Sequence, residues 1–225
     1  DPALVDLVIL PMKTFGATEA TRLAKILASG CNTHLKSLTA SGHALPPNAL
    51  EALGRALAGC NVSHLAIGDQ TMGDVGVAAL CKGLAVSVND SAAGRLSILD
   101  LSMKGIGKDG MESIVTTLGE CKSLRSLILS RNSSVGQFDF GVSTEPIFSS
   151  LKQLDLSECC IDSRFCQALA PRLVESSDLV LNLSRNDGIV GADEMSDLMK
   201  LSLVELNFTK CSISDEGMQV IIDQA

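Results

Sequence analysis

One apolar skeleton, L-x-x-L-x-L followed by a small turn residue, recurs eight times along the 225 residues of this chain. Successive copies begin 25 to 34 residues apart. A repeat of this length predicts a stack of similar units, because a single unit cannot bury its own leucines and must pack them against its neighbours. We therefore expect one domain of eight repeats over residues 1–225. The copies begin at Leu4, Leu35, Val62, Leu96, Leu124, Leu151, Asp178 and Leu203.

A second period follows the skeleton within most copies. Apolar residues recur there at i, i+3 and i+7, which is the spacing of one face of an α-helix. In five copies this face begins 15 residues after the first position of the skeleton, at Leu50, Val77, Met111, Cys166 and Met218. Each unit is thus predicted to be a strand, a turn, a helix and a return. The predicted N-caps of the helices are Asp74, Asp109, Asp162 and Asp215.

Stacking such units places all the strands in one parallel sheet and all the helices in a second layer. Because helices are wider than strands, we expect an α/β solenoid bent into a horseshoe, with the sheet on the concave face and the helices on the convex face. A period of about 28 residues with a full helix resembles the ribonuclease-inhibitor-like class of leucine-rich repeat. That class includes the ribonuclease inhibitor, the Ran GTPase-activating proteins and the C-terminal repeats of NOD-like receptors. The resemblance implies a non-catalytic scaffold or recognition module that binds other proteins.

Two alternatives to a simple scaffold follow from this resemblance. The turns L-S-R-N at Arg131 and Arg185 are similar to those of the Ran activators, which implies a GTPase-activating protein. Such turns are general in the repeat class, so we interpret both arginines as solvated residues at the rim. Cys159 and Cys211 occupy the usual asparagine position of the turn, which is similar to the repeats of F-box proteins. That similarity implies the substrate-recognition array of a ubiquitin ligase.

The charge of the chain limits its partners. The formal net charge is −8, and lysine and arginine form no cluster of the kind that binding phosphates requires, so we expect a protein partner and not nucleic acid. The apolar stretch Leu7–Met12 is far too short to cross a bilayer. The glycine-rich segment Lys104–Gly110 falls where the repeat needs a tight turn, so we do not interpret it as a phosphate loop. We expect no cofactor and no catalytic residue, and the oligomeric state stays open.

The eight cysteines follow the repeat. Three precede strands, two lie in turns, and Cys166 falls on a predicted helix face. We therefore expect buried free thiols that pack as small apolar groups, in preference to disulfides or a metal site. A reducing compartment, cytoplasmic or nuclear, follows from this interpretation. Neither end of the chain has an obvious polar cap, so we also expect it to be part of a longer protein.

The concave face is the first candidate for partner binding. If the leucines at positions 4 and 6 of each copy point into the core, positions 3, 5 and 7 point to the concave face. His64 and Asp100 lie there on neighbouring strands with serines close by, but an open sheet lacks the pocket that a catalytic triad needs. The residues predicted to contact a partner are His64, Ile98, Asp100, Ile128, Gln153, Asp155, Asn182, Glu205 and Asn207.

The fifth copy offers a second candidate surface. Its helical face is lost, Pro146 disfavours a long helix, and Phe138 and Phe140 fall in the irregular segment. These rings either fill the core where a helix is missing or project as hydrophobic anchors for a partner. In the third copy, extra residues over Val86–Arg95 are predicted to form a solvated loop.

Overall fold

The structure is a computed structural model that describes residues 3–30, 33–57, 60–89, 95–142 and 145–224. Within these residues, eight strands alternate with seven α-helices. The strands are β1 Asp6–Val8, β2 Ser37–Ser41, β3 His64–Gly68, β4 Ile98–Asp100, β5 Ser126–Ile128, β6 Gln153–Asp155, β7 Leu179–Asn182 and β8 Leu203–Asn207. The helices are α1 Ala17–Ala28, α2 Pro47–Ala56, α3 Gly73–Asn89, α4 Lys108–Leu118, α5 Ser163–Leu169, α6 Ala192–Leu198 and α7 Asp215–Gln224.

All eight strands form one parallel sheet in sequence order, β1 to β8. Position 4 of each unit stands opposite position 4 of the next, as the skeleton predicts, so that each leucine stacks on its neighbour. In the six inner strands each of these side chains is almost completely buried, and burying one leucine contributes about 2 kcal/mol. The α/β solenoid predicted from the two periods is thereby confirmed. The stacked leucines of the six inner strands are Leu38, Leu65, Leu99, Leu127, Leu154 and Leu181.

The helical faces pack against the other side of the sheet, and most of their predicted residues are buried. Leu50, Val77, Met111 and Cys166, which begin four of the faces, are at most 1% exposed. Met218 differs, because it is 42% exposed on α7, a helix that has its neighbour α6 on one side. The prediction of a buried face is therefore only partly met in the last unit.

Helices α2 and α3 approach each other at two glycines. A Cβ atom added to Gly83 would lie 2.3 Å from the carbonyl oxygen of Glu51 and 3.0 Å from the Cα atom of Gly54. A Cβ atom on Gly54 would in turn lie 2.7 Å from the carbonyl oxygen of Leu80. All three distances are shorter than van der Waals contact allows, so only glycine permits this packing of the two backbones.

The predicted N-caps are correct at one position and wrong at three. Asp162 caps α5, since its carboxylate accepts a hydrogen bond from the Phe165 N–H at 2.9 Å. Asp74, Asp109 and Asp215 lie inside the first turn of their helices, because each helix begins at or before the aspartate. Asp74 instead accepts from the Gly107 N–H of the next unit at 2.6 Å, and thus bonds two units together.

The two irregular units also differ in part from expectation. Helix α3 extends to Asn89, so the first residues of the predicted loop Val86–Arg95 are helical. Residues 90–94 lie outside the described residues. In the fifth unit the described segment contains a short 3-10 helix, Val135–Gln137, in place of an α-helix, as Pro146 and the lost apolar period predict. Among the described residues, no helix combines the length and apolar character that crossing a bilayer requires.

Candidate functional site

Two rows of side chains cross the sheet at positions 3 and 5, and the strand register defines both. The nine residues predicted for the concave face all lie in these rows, which the structure therefore brings together. The position-3 row is Asp6, Ser37, His64, Ile98, Ser126, Gln153, Val180 and Glu205. The position-5 row is Val8, Thr39, Ala66, Asp100, Ile128, Asp155, Asn182 and Asn207.

The two rows carry charge of one sign. Four of their side chains are carboxylates, Asp6, Asp100, Asp155 and Glu205, and these rows contain no lysine or arginine. Gln153 and Glu205 are exposed, whereas Asp100, Asp155 and His64 are half-buried. The face therefore offers hydrogen-bond acceptors and negative charge at the surface of a rigid sheet.

The acidic and amide side chains of position 5 also fix the ends of their strands. The Oδ1 atom of Asp100 accepts from the N–H of Ser102 at 2.9 Å and from its hydroxyl at 2.6 Å. Asp155 makes the same two bonds with Ser157, at 2.9 and 2.7 Å. One oxygen of each carboxylate is therefore held in a local turn, which orients the other oxygen. Asn182 and Asn207 repeat the backbone bond, at 3.1 and 2.9 Å.

In five units the residue at position 9, in the turn, ties the unit to the one before it. The amide of Asn132 donates to the carbonyl of Leu101 at 2.9 Å and accepts from two backbone N–H groups. Asn186 does the same with Leu156. At this position Cys159 and Cys211 use their thiols, donating to the carbonyls of Leu129 at 3.1 Å and Leu183 at 3.2 Å, and His43 lies 3.1 Å from the carbonyl of Ile9.

This ladder of asparagine and cysteine is the feature that gives a leucine-rich repeat its turn, and comparison with known families agrees. A family model described as Leucine Rich repeat matches residues 149–170 and 200–221. These segments hold β6 with α5 and β8 with the start of α7. These two matches and the eight parallel strands that alternate with helices fit a leucine-rich-repeat protein. A comparison with curated proteins gave no match.

Leucine-rich repeats are typical of modules that bind other proteins, and the two rows lie on the face of the sheet that is predicted to be concave. At the N-terminal half of this face, the leucine-rich-repeat sheet forms a pocket of about 750 Å³. Its lining includes His64 and Asp100 from the rows, together with Asp69 and Lys104 from the turns. Sequence reasoning missed Asp69 and Lys104, because both fall in turns that the repeat itself explains.

The rim beside the rows is built from residues in the left-handed region. Met103, Arg131, Glu158, Arg185 and Lys210 occupy position 8 with φ between 55° and 61°, which L-residues seldom adopt. In the first four of these, the backbone N–H donates to the next unit at 2.8 to 3.1 Å. Arg131 and Arg185 lie 3.4 and 3.5 Å from the same carboxylate oxygen of Glu158. Both arginines are therefore partnered along the rim.

The irregular segment of the fifth unit packs onto the edge of the core. Phe138 and Phe140 are half-buried, with ring centroids 4.8 Å apart in an edge-to-face arrangement. Phe140 also contacts Phe165 at 5.1 Å, and the guanidinium of Arg172 lies 4.9 Å from the centroid of the Phe140 ring. Arg172 donates to the carbonyl of Phe140 at 2.9 Å. Both phenylalanines line a shallow cavity of about 520 Å³ beside α4.

The described cysteines are all free thiols, and Cys160 is the exposed member of this group. Burial raises the pKa of Cys81 and Cys159 to about 12 and raises that of Cys166 as well. Cys31 lies outside the described residues. Within the described residues, no group of three or more His, Cys, Asp or Glu side chains is placed to hold a metal ion.

Proposed function

We propose that this leucine-rich-repeat protein is a recognition module that binds another protein through the two rows of its concave face. The observation that carries the proposal is the register of the rows, which aligns four carboxylates and no lysine or arginine across one sheet. Eight strands spaced by about 4.8 Å give rows about 34 Å long. A surface of that length is large enough for a protein interface of ordinary size.

The charge of the rows indicates the chemistry of the partner. Carboxylates held by turn hydrogen bonds are preorganised, so they lose little conformational freedom when a partner binds. The negative charge of the rows would attract a partner that presents lysine or arginine at matching spacing, and it would repel an acidic partner. The chain has no tryptophan and no tyrosine, so aromatic anchors at such an interface would come from the partner.

We also propose that the module works in a reducing compartment, the cytoplasm or the nucleus. Cys159 and Cys211 donate through their thiols to carbonyls of the preceding unit. Oxidation of either thiol would remove a hydrogen bond that joins two units. The ribonuclease-inhibitor-like class of repeat, with a helix in most units, is the subclass that this arrangement fits best.

The experiment that tests the proposal is affinity capture from a cell lysate with three forms of the protein. The first is the wild type. The second carries Asp155→Asn and Glu205→Gln, which remove two charges from the rows, and the third carries Glu120→Gln and Glu175→Gln at exposed positions away from them. The two variants have the same net charge, so a difference between them reports the place of the charges and not their number.

We expect a partner that the wild type and the third form retain and that the second form releases. A fourth form, Phe138→Ser with Phe140→Ser, tests the irregular segment as the competing surface. Release by that form together with retention by the second would overturn the concave-face proposal. Each form is first checked to have the melting temperature of the wild type, so that loss of folding is not mistaken for loss of binding.

A further inference from the structure

The concave pocket contains a buried lysine that the repeat does not need. Lys104 is 4% exposed and occupies position 9, where five other units place a side chain against the carbonyl at position 6 of the unit before. Lys104 makes no such hydrogen bond with any described residue. The ladder is therefore interrupted at the pocket, where position 9 is Gln70 in the third unit and the charged Lys104 in the fourth.

The backbone of Lys104 is held from both sides. Its N–H donates to the Oδ1 atom of Asn132 at 2.9 Å, and its carbonyl accepts from the Gly73 N–H at 2.8 Å. The start of the side chain is thus fixed in the wall of the pocket. The position of this lysine is a consequence of the fold and not of a mobile turn.

The ammonium group of Lys104 faces the pocket without a hydrogen bond or ion pair to a described residue, although the charges of Asp100 and Asp69 act on it. In the described part of the chain, every side-chain nitrogen or oxygen that is sealed from solvent has a hydrogen-bond partner. The Nζ atom of Lys104 has no hydrogen bond or ion pair to a described residue, so it must reach the pocket surface. A buried ammonium that lacks acceptors is costly, and an acceptor supplied from outside would remove the cost.

Two carboxylates stand in the same pocket. In each of them the Oδ1 atom accepts a hydrogen bond from a backbone N–H of the same turn. Asp69 accepts from Thr71 at 3.0 Å, and Asp100 accepts from Ser102 at 2.9 Å. Their Oδ2 atoms accept no hydrogen bond from the described residues. Two carboxylates and one ammonium give the pocket a net negative charge, which disfavours a simple anion, while Lys104 requires an acceptor. The ligand that fits must bring a cation and a carbonyl or carboxylate oxygen together.

We infer that this pocket receives an arginine or lysine side chain of a protein partner, with its cationic group on Asp69 and Asp100 and a main-chain carbonyl of the same segment on Lys104. The inference rests on the proposed protein-recognition function of the concave face and names the part of the partner that is recognised. A peptide segment supplies both groups at once, since each residue carries a carbonyl two bonds from the start of its side chain. The absence of other cations from the two rows leaves this place open to a basic side chain.

The test uses the intact chain and short blocked peptides as probes. Acetyl-Gly-Arg-Gly-amide carries the cation and the carbonyls, while the same peptide with citrulline keeps the shape and loses the charge. Free L-arginine carries the cation and a carboxylate without a peptide backbone. Binding is followed by amide chemical shifts of the ¹⁵N-labelled protein, which locate the site and give the dissociation constant together.

Three variants decide the role of each group. Lys104→Met removes the ammonium, and Asp100→Asn removes one charge but keeps the oxygen that the turn needs, as Asn182 does at the same position. Asp139→Asn is the matched control, because the Oδ1 atom of Asp139 also accepts a hydrogen bond from a backbone N–H of its turn, that of Gly141 at 2.8 Å, but Asp139 lies outside the pocket and outside the two rows. We expect the arginine peptide to shift amides around Asp100 and Met103, and Lys104→Met and Asp100→Asn each to weaken its binding by about tenfold. Asp139→Asn should bind as the wild type does.

Several results would overturn the inference. If the citrulline peptide bound as tightly as the arginine peptide, the positive charge would have no role in binding. If free L-arginine bound more tightly than the arginine peptide, the pocket would be a site for a small molecule. Unchanged binding by Lys104→Met would remove the role of the ammonium. If the arginine peptide shifted amides near Asp155 alone, or none at all, the pocket would fail as its site. The proposed function would still stand if Asp155→Asn with Glu205→Gln released a captured partner, so the two failures are distinguishable.

Discussion

The side-chain oxygen of Asn132 accepts a hydrogen bond from the backbone N–H of Lys104 at 2.9 Å, and so joins the fifth unit to the wall of the concave pocket. The same amide accepts from Ile106 at 3.1 Å and donates to Leu101 at 2.9 Å. A residue that is 1% exposed thus makes the bonds that hold the turn of the neighbouring unit. The stability of the fold and the placement of Lys104 therefore both depend on the side chain of Asn132.

Replacing Asn132 should therefore show which of its bonds matters. Asn132→Ala leaves several buried backbone groups without partners, and we expect a loss of about 3 kcal/mol in the free energy of unfolding. Asn132→Cys should lose roughly half as much, because a thiol in the same position still reaches the carbonyl of the preceding unit, as Cys159 does. Urea denaturation of the two variants measures the difference. Equal losses would mean that the donor bond to Leu101 contributes nothing.

The contact of α2 with α3 predicts a severe effect of one methyl group. Gly83→Ala places a Cβ atom 2.3 Å from the carbonyl oxygen of Glu51, so the two helices must separate. We expect a loss of about 2–4 kcal/mol, although alanine favours helices over glycine. Val75→Ala on the same helix is the control, since Val75 is 70% exposed and should change stability by less than about 0.5 kcal/mol. A neutral or stabilising Gly83→Ala in thermal denaturation would refute the close contact.

Glu194 should make the stability of the C-terminal units depend on acid. Burial opposes its ionisation, but hydrogen bonds from Ser163 and from the N–H groups of Gly191 and Val190 outweigh burial and hold the pKa of Glu194 below 4.5. The folded state binds the proton more weakly than the unfolded state does. The stability from this group is therefore complete above pH 4.5 and is lost as the pH falls through the folded pKa.

The measurement is the melting temperature of the wild type and of Glu194→Gln at a series of pH values. We expect the variant to be less stable by about 1–2 kcal/mol near neutral pH, with the difference shrinking in acid. Glu175→Gln, at an exposed glutamate, should follow the wild type throughout. A difference that grew as the pH fell would contradict the assignment of a lowered pKa.

We expect the buried ammonium of Lys104 to lower the free energy of unfolding. Burial lowers the pKa of Lys104 from 10.5, and Asp100 and Asp69 offset this only in part. The charged form is disfavoured in the folded state, so the penalty is present at neutral pH and is relieved as the pH rises toward 10.5. We expect Lys104→Met to raise the free energy of unfolding by about 1 kcal/mol at neutral pH and by less in alkali. Lys36→Met, at an exposed lysine, is the control, and a destabilised Lys104→Met would mean that the ammonium has a structural partner.

Thiol reactivity should separate adjacent cysteines. Cys160 is exposed, whereas Cys159 is buried and burial raises its pKa to about 12. Because the thiolate is the reactive form, iodoacetamide should alkylate Cys160 first among the described cysteines under native conditions. Peptide mapping by mass spectrometry with Cys160→Ser as the control checks this order. Early alkylation of Cys159 would indicate that the turn of the sixth unit opens.

The fold could be predicted from the sequence because each unit carries two independent apolar patterns. The leucines of the strands and the apolar face of the helices are local patterns, and stacking satisfies both at once, so the register of Asp100 with Asp155 and Asn182 follows from counting positions. Helix starts were harder to place. Asp74 has the composition of a cap, but its carboxylate bonds to Gly107 of the next unit, and a contact between units leaves no mark in the local sequence.

The candidate site was only half visible in the sequence for the same reason. The rows follow from alternation along the strands, but the pocket depends on Lys104 occupying a position that asparagine, cysteine or histidine fills in five other units. That departure is a usable signal once the units are aligned on their turns. The ammonium has no hydrogen bond or ion pair to a described residue although Asp69 and Asp100 line the same pocket, and this arrangement depends on three-dimensional packing that the local sequence does not show.

The most direct test of the concave-face account is the salt dependence of binding to a captured partner. Dissociation constants are measured at low and high salt for the wild type, for Asp155→Asn with Glu205→Gln, and for Glu120→Gln with Glu175→Gln. The account predicts that the wild type and the last form lose about tenfold in affinity as salt is raised, and that the concave variant is already weakened at low salt and responds less. A concave variant that binds as tightly as the wild type and responds to salt in the same way would contradict the account.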